Sequence, residues 1–220
     1  MAKKVLELNV DFKEQSKLGD NGSFSLQPLE RGYGTTIGNA MRRVLLTSIP
    51  GAAITHVKID GVQHEFSTID GVKEDVADII MNLKKVRFKL MDSAPDKVTL
   101  SIKGKKSFTA QDIQNSSDQF EVLNPEEYIT EVNSKGKLDI ELRIGIGKGY
   151  VPSEANDMPN LSVGTLSIDS IFNPVTNVTF NVQPVPGAKD PIEILSLDVT
   201  TDGSITAKDA VCLLYTSDAA

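Results

Sequence analysis

Apolar and polar residues alternate with a period of two along much of the chain, the pattern of strands with one packed face and one face in water. Near the start, Leu6, Leu8, Val10 and Phe12 alternate with Glu7, Asn9 and Asp11. After a turn at residues 19–22, Phe24 and Leu26 continue the alternation, which predicts a hairpin. The period then becomes helical. Between Thr35 and Ile49 the apolar residues Ile37, Ala40, Met41, Val44 and Leu45 recur at spacings of three and four, and Pro50-Gly51 stops the pattern. A second helix is predicted from about Gly71 to Val86, with Asp70 as N-cap and Val72, Val76, Ile79, Ile80 and Leu83 as its inner stripe. Glu74 and Asp75 then fall in its first turn and Lys84 and Lys85 in its last, as the helix dipole favours. Strands are predicted at 52–62, 86–92, 97–105, 137–147, 166–168, 177–182 and 194–199. The cleanest is 137–147, where Leu138, Ile140, Leu142, Ile144 and Ile146 alternate with charged or small residues. Residues 111–126 read as polar and turn-rich. Two helices among about ten strands place the chain in the α+β class.

A length of 220 residues, 40% of them hydrophobic and 24% charged, is ordinary for one or two globular domains. No apolar run approaches the roughly 20 residues that span a bilayer, and the N-terminus lacks the apolar core of a signal peptide, so a soluble cytoplasmic protein without membrane contact is expected. Cys212 stands alone and excludes an intrachain disulfide. With His56 and His64 as the only histidines, a three-histidine zinc site within one chain is excluded, and neither a metal nor another cofactor is expected. Residues 1–110 carry 17 Lys/Arg against 13 Asp/Glu and residues 111–220 carry 6 against 17, which together give the net charge of −7. Lys84, Lys85, Arg87, Lys89, Lys97, Lys103, Lys105 and Lys106 form a local basic run, read either as a basic surface or as a solvated strand face. An acidic chain without tryptophan does not suggest electrostatic binding of nucleic acid.

Gly32, Gly34 and Gly38 lie between a strand and a helix, where bare backbone would let a pyrophosphate reach a helix N-terminus. The spacing is G-x-G-x-x-x-G rather than G-x-G-x-x-G, and the strands before it read as a hairpin. A tight structural turn at Gly32 and Gly34, with Gly38 letting the helix lie close to the sheet, is the alternative. Arg42 and Arg43 stand about 100° apart on the first helix, with Leu46 on the turn above Arg43. A cation beside an exposed leucine reads as a solvated face or as an anchor in a protein interface. His64 and Glu65 are general acid/base candidates by type, but no nucleophile in a recognisable setting accompanies them, which leaves a structural histidine as the other reading. Asp60-Gly61 and Asp70-Gly71 read as turns. Gly145, Gly147 and Gly149, ahead of Tyr150-Val151-Pro152, follow a strand with no helix pattern after them, and read as a flexible contact loop rather than a phosphate cradle.

The run LERGYGTTIGNAMRRVLLTSIPGAAITHVKIDGVQHEFSTIDGVKEDVADIIMNLK resembles the N-terminal domain of the bacterial RNA polymerase alpha subunit. RIGIGKGYVPSE at 143–154, IDSIFNPVTNV and LDVTTDGSIT resemble later parts of that family in the same order, so the resemblance covers most of residues 5–210. It implies an assembly platform without catalytic residues of its own, which homodimerises and docks the beta and beta prime subunits for transcription. The fold implied is a discontinuous dimerisation domain at about 1–50 and 165–220, with an inserted, mainly β domain at about 51–164. By matching position, Arg43, Leu46, Lys84 and the Gly149-Tyr150-Val151-Pro152 loop would contact the large subunits. The helix stripe of Ile37, Met41, Val44 and Leu45, with a helix near the C-terminus, would form the dimer surface. Family members continue after TDGSIT into a long amphipathic helix, a linker and a DNA-contacting C-terminal domain. Without that domain no direct DNA binding is expected. CLLYTSDAA at the end fits neither a helix stripe nor the family pattern, and reads as a foreign end on a shortened fragment. ANDMPNLSVGT also departs from the family. Two other readings stay open: an autonomous dimeric interaction module, and a nucleotide-binding enzyme using the glycine turn with His64 and Glu65.

Overall fold

The structure is a computed structural model describing residues 8–9, 21–90, 97–104, 106–156, 161–186 and 192–217. The chain divides into two units, residues 1–49 with 173–220, and residues 50–172. In chain order the elements are β1 (Leu8–Asn9), β2 (Asn21–Glu30), α1 (Tyr33–Thr47), β3 (Pro50–Ile59), α2 (Val76–Leu83), β4 (Phe88–Leu90), β5 (Val98–Lys103), β6 (Lys106–Thr109), α3 (Ala110–Gln114), β7 (Phe120–Val122), β8 (Tyr128–Val132), β9 (Lys137–Lys148), β10 (Tyr150–Val151), a 3-10 turn at Ser153–Asn156, β11 (Thr165–Ser167), β12 (Ser170–Ile171), β13 (Val175–Pro184), β14 (Ile192–Thr201) and α4 (Ala207–Ser217). The strand-rich mixture is α+β, as the periodicity predicts.

The unit built from the chain ends is an antiparallel sheet in the order β1-β2-β14-β13, with α1 and α4 packed on it. The alternation in β2 buries Phe24 and Leu26, and that in β14 buries Leu195, Leu197 and Val199. Met41 and Leu45 of α1 close over them with Ala210, Val211 and Leu214 of α4. α1 lies close to β13 because glycine faces the sheet: a Cβ at Gly34 would stand 2.6 Å from Val182, and one at Gly38 2.6 Å from the Phe180 ring. The N-terminal hairpin expectation is met only as far as the description goes. Leu8 pairs with Leu26 and Asn9 with Ser25 in an antiparallel ladder, while the intervening turn at 19–20 and the residues Leu6, Val10 and Phe12 lie outside the described residues.

The middle unit is a sheet ordered β5-β9-β3-β4-β7, with β11 also paired to β3, and two short ribbons, β6-β8 and β10-β12. Period-two alternation in β9 buries Leu138, Ile140, Leu142 and Ile144 in a core shared with Ile79, Ile80 and Leu83 of α2. Ile146, the fifth member of that alternation, is 59% exposed.

Several expectations need correction. The second helix begins at Val76, with Asp75 rather than Asp70 as its N-cap, accepting the Asp78 N–H at 2.8 Å. Gly71 has φ +80, and Val72 and Lys73 pair with Val132 and Glu131 of the β6-β8 ribbon instead of coiling, so Glu74 is a tie and not a first-turn residue. Residues 111–126 are not merely turns: α3 and β7 lie there, with Ile113, Phe120 and Val122 buried. Residues 212–217 continue α4, and Leu214 completes a stripe with Ala207, Ala210 and Val211 at helical spacing, so the segment does fit a helix. Residues 165–172 belong to the middle unit, because Leu166 pairs with Val57 and Ser167 with His56 of β3.

Candidate functional site

The glycine turn before α1 already holds an anion from the protein itself. Gly32 takes φ +90 at the N-cap, and the Glu193 carboxylate of β14 accepts the Gly32 N–H at 3.0 Å and the Gly34 N–H at 3.2 Å. A carboxylate at the free N–H groups of a helix start satisfies them and complements the dipole. The place a nucleotide phosphate would take is therefore filled, and a Cβ at Gly34 would meet Glu193 Oε2 at 2.9 Å. Gly32, Gly34 and Gly38 act here as turn and close-approach residues.

Further along α1, Arg42 and Arg43 are both exposed, and neither pairs with a carboxylate among the described residues. The Thr47 hydroxyl donates to the Arg43 carbonyl at 2.8 Å, a bond to the backbone that does not involve the guanidinium. Leu46 is half-buried against the core of its own unit, not exposed as the sequence reading supposes. The stripe expected to face a second copy also splits. Leu45 is 1% exposed and Met41 8%, both turned into their own core, while Ile37 and Val44 are half-buried. Leu45 and Met41 thus offer a second copy almost no surface, because the sheet beneath α1 already covers them.

In the middle unit Lys84 is engaged internally. It follows α2, and its Nζ donates to Asp169 Oδ2 at 3.0 Å; Asp169 Oδ1 accepts the Ser153 N–H at 2.9 Å. The Lys84 hydrogen bond, then the Ser153 N–H, hold the Asp169 carboxyl below the usual carboxylate range. This pins the segment after Pro152 to the end of α2. Gly149 (φ +66) turns the chain into β10, where Tyr150 pairs with Ile171 and Val151 with Ser170. The Pro152 carbonyl accepts N–H groups from Ala155 and Asn156, closing the 3-10 turn. The expected flexible loop is therefore a bonded ribbon and turn. Gly145 and Gly147 lie inside β9, where a Cβ would strike Thr55 and the Phe172 ring respectively. Tyr150, 60% exposed, stands beside exposed Ile171 in the ribbon.

Half of the basic run is engaged within the fold. Lys85 donates to Asn82 and approaches Glu127 at 3.9 Å, Arg87 donates to the Ile171 carbonyl, and Lys97 meets Glu141 at 2.6 Å. Lys105 lies outside the described residues. His64 and Glu65 are exposed in a loop, with the Ser67 hydroxyl 3.1 Å from His64 Nδ1.

Sequence reasoning passed over two polar centres. His56, 1% exposed, donates from Nε2 to the Asn156 carbonyl at 2.8 Å and holds Thr55 Oγ1 at 2.9 Å through Nδ1. Asn156 in turn donates to the Ile168 carbonyl and to Ser170 Oγ, which donates to the Ile54 carbonyl. The Glu74 carboxylate collects the Tyr128 hydroxyl, the Thr130 hydroxyl and the Glu131 N–H. Partial burial raises its pKa, but these hydrogen bonds outweigh it and leave the carboxyl below its ordinary value, while burial and the Glu74 bond push Tyr128 up to about 12. No local pattern marks either centre, since the partners are distant in sequence. Among the described residues no three His, Cys, Asp or Glu side chains gather as a metal site, and no helix is long and apolar enough to cross a membrane.

The chain is thus a pair of α+β units, each closed on its own hydrophobic core. The family model described as RNA polymerase Rpb3/RpoA insert domain matches residues 57–173, and the chain belongs to that family. Proteins named DNA-directed RNA polymerase subunit alpha are similar to it over most of its length. The Chlorobaculum tepidum protein is 52% identical over 205 residues, covering 93% of this chain and 62% of its own. The Prosthecochloris aestuarii protein is 53% identical over 205 residues, with the same coverage. The Salinibacter ruber protein is 51% identical over 191 residues, 86% of this chain and 58% of its own. The chain thus spans less than two thirds of the length of these relatives.

Proposed function

We propose that this chain is an alpha-type subunit of a bacterial RNA polymerase, which pairs with a second copy and docks the beta and beta prime subunits by recognition, without contributing catalytic groups. The observation that carries this reading is about 50% identity, across 93% of the chain, to proteins named as that subunit. The structure supports it with two surfaces. On the unit of the chain ends, Arg43 is exposed beside half-buried Leu46 and pairs with no carboxylate among the described residues, a combination suited to the centre of an interface. On the middle unit, Tyr150, Val151 and Ile171 stand on a ribbon held by Lys84, Asp169 and Gly149, so Lys84 acts as a positioning residue for this contact as much as a contact itself. The second copy would meet the exposed side of α1 and α4, where Ile37, Val44 and Leu213 remain accessible.

The test is coexpression with a bacterial beta subunit followed by native mass spectrometry. Two copies plus one beta subunit are expected. Arg43→Ala should weaken capture of beta by about ten-fold or more, the cost of losing a central anchor, with unchanged circular dichroism. A folded Arg43→Ala chain that captures beta as well as the parent would reject that role for Arg43. A parent chain that captures neither large subunit would reject the assembly reading.

A further inference from the structure

In the middle unit an open cavity of about 610 Å³ lies where β5, β9 and β3 run side by side. The register places His56 opposite Arg143, and Val98 opposite Leu142, so Lys97 falls beside Arg143 in one row across three strands. Cross-strand neighbours share a face of a sheet. Leu142 is buried in the core, Lys97, His56 and Arg143 all line the cavity, and the buried Ile144 also reaches its wall.

The row is neutralised only in part. Lys97 takes the Glu141 carboxylate at 2.6 Å, and the His56 ring is held by Thr55 and the Asn156 carbonyl. Thr55 Oγ1 donates to the Arg143 backbone carbonyl and not to its guanidinium. Arg143 Nε is buried with no hydrogen-bond partner, and among the described residues no carboxylate pairs with this side chain. A buried Nε–H without an acceptor is costly, a cost that an incoming oxygen of a ligand or a water would relieve. The apolar part of the wall comes from Ile144, Ile146, Val151 and Phe172, with Ile146 strongly exposed, and Thr55 and Asn156 add polar groups that the His56 network already engages. The space exceeds what a lone carboxylate fills. An arginine beside Ile146, Val151 and Phe172, with Tyr150 next to Val151 in the chain, has the composition of an interface core.

The geometry points to this cavity as the seat of an acidic side chain of a docked polypeptide, an aspartate or glutamate flanked by large apolar residues, with Arg143 as its partner. The inference rests on the assembly reading above and assigns the chemistry of the large-subunit segment that meets this unit. The carboxylate would accept from the Arg143 guanidinium, and its apolar neighbours would cover Ile146, Val151 and Tyr150.

The test uses the full chain on an array of overlapping 15-residue peptides spanning a bacterial beta and beta prime subunit. Peptides held by the chain are expected to share an acidic residue between apolar ones, to lose about ten-fold in binding when that residue becomes its amide, and to be lost by Arg143→Gln but partly kept by Arg143→Lys. A bound set with no acidic requirement, an Arg143→Gln chain that holds the same peptides, or no peptide held at all would overturn the proposal. Sodium acetate that displaces the peptides completely at concentrations of about 10 mM, too low for screening of exposed charges, would assign the site to free small anions and overturn it as well. Coexpression separates this from the broader reading: if the parent chain still captures the large subunits while the array fails, only the cavity assignment falls. Circular dichroism of both Arg143 variants guards against misfolding.

Discussion

Replacing Gly38 by alanine sets two effects of similar size against each other, and the structure says which wins. Gly38 lies within α1, where glycine-to-alanine exchange by itself stabilises a helix by about 1 kcal/mol. The new Cβ would stand 2.6, 2.8 and 2.9 Å from Cδ2, Cε2 and Cγ of Phe180 on β13. Carbon pairs settle at about 3.5–4.0 Å, so roughly 1 Å of separation has to be found. Rotating the ring about its own axis does not move Cγ. Either Phe180 leaves its rotamer or α1 lifts from the sheet, which would also loosen the fit of Gly34 against Val182. Overpacking of this kind costs about 1–3 kcal/mol, so the overlap exceeds the propensity gain and a net loss of about 1 kcal/mol is expected. Hydrogen-exchange mass spectrometry on peptides covering Tyr33–Thr47 reads this unit alone. Exchange through opening of α1 should become about five-fold faster. In a Phe180→Ala background the clash is gone, and Gly38→Ala should then slow exchange. Slower or unchanged exchange for Gly38→Ala in the parent chain would refute the close-approach argument.

Two carboxylates of the middle unit should shape its acid limb. Both are held below their ordinary values in the folded state, so the stability they contribute is present above the unfolded-state pKa, about 4 for carboxyls, and disappears as pH falls through the folded value. Glu74→Gln keeps the shape but loses the charged acceptor for Tyr128, Thr130 and the Glu131 N–H. At pH 7 the β8 amides should exchange faster, and the stability of this unit should vary less between pH 6 and pH 3 than in the parent; an identical pH profile would contradict the role given to Glu74. Asp169→Asn removes the charge that joins Lys84 to the Ser153 N–H. Exchange at residues 150–156 should accelerate while that at α1 in the other unit stays the same, and unaltered protection of 150–156 would show that the clamp does not order this segment.

How much of this fold could be read from sequence depends on the distance over which each element's cause acts. β9 was legible because five alternating apolar residues specify a face without reference to the rest of the chain, and α1 because its stripe and its stop at Pro50-Gly51 are local. The start of α2 was misread because Glu74 and Asp75 suit a first helical turn equally well until β8 arrives to take Glu74 as an acceptor. α3 and the β6-β8 ribbon are too short for periodicity. A local signal existed in Asp112 three residues after Thr109, whose N–H it accepts at 3.2 Å, but the buried partners Phe120 and Ile129 lie well downstream. His56 gave no sign at all, since its carbonyl partner Asn156 is 100 residues away.

The same distinction bears on the contact residues. Matching by position treats Arg43, Leu46 and Lys84 alike, yet a side chain offers a partner only the bonds that its own fold has left open. Lys84 is held by Asp169 and Leu46 rests on its own core, whereas the Arg43 guanidinium has no carboxylate among the described residues. Arg143, which no motif singled out, shares that condition and adds a buried Nε without an acceptor. Substitution at Lys84 should therefore act first on the order of the Tyr150 ribbon and only through it on docking, while substitution at Arg43 or Arg143 should act on binding with the fold intact. On the proposed assembly reading, unspent hydrogen-bonding capacity, which sequence position cannot report, would separate residues that recognise a partner from those that hold the recognising surface in place.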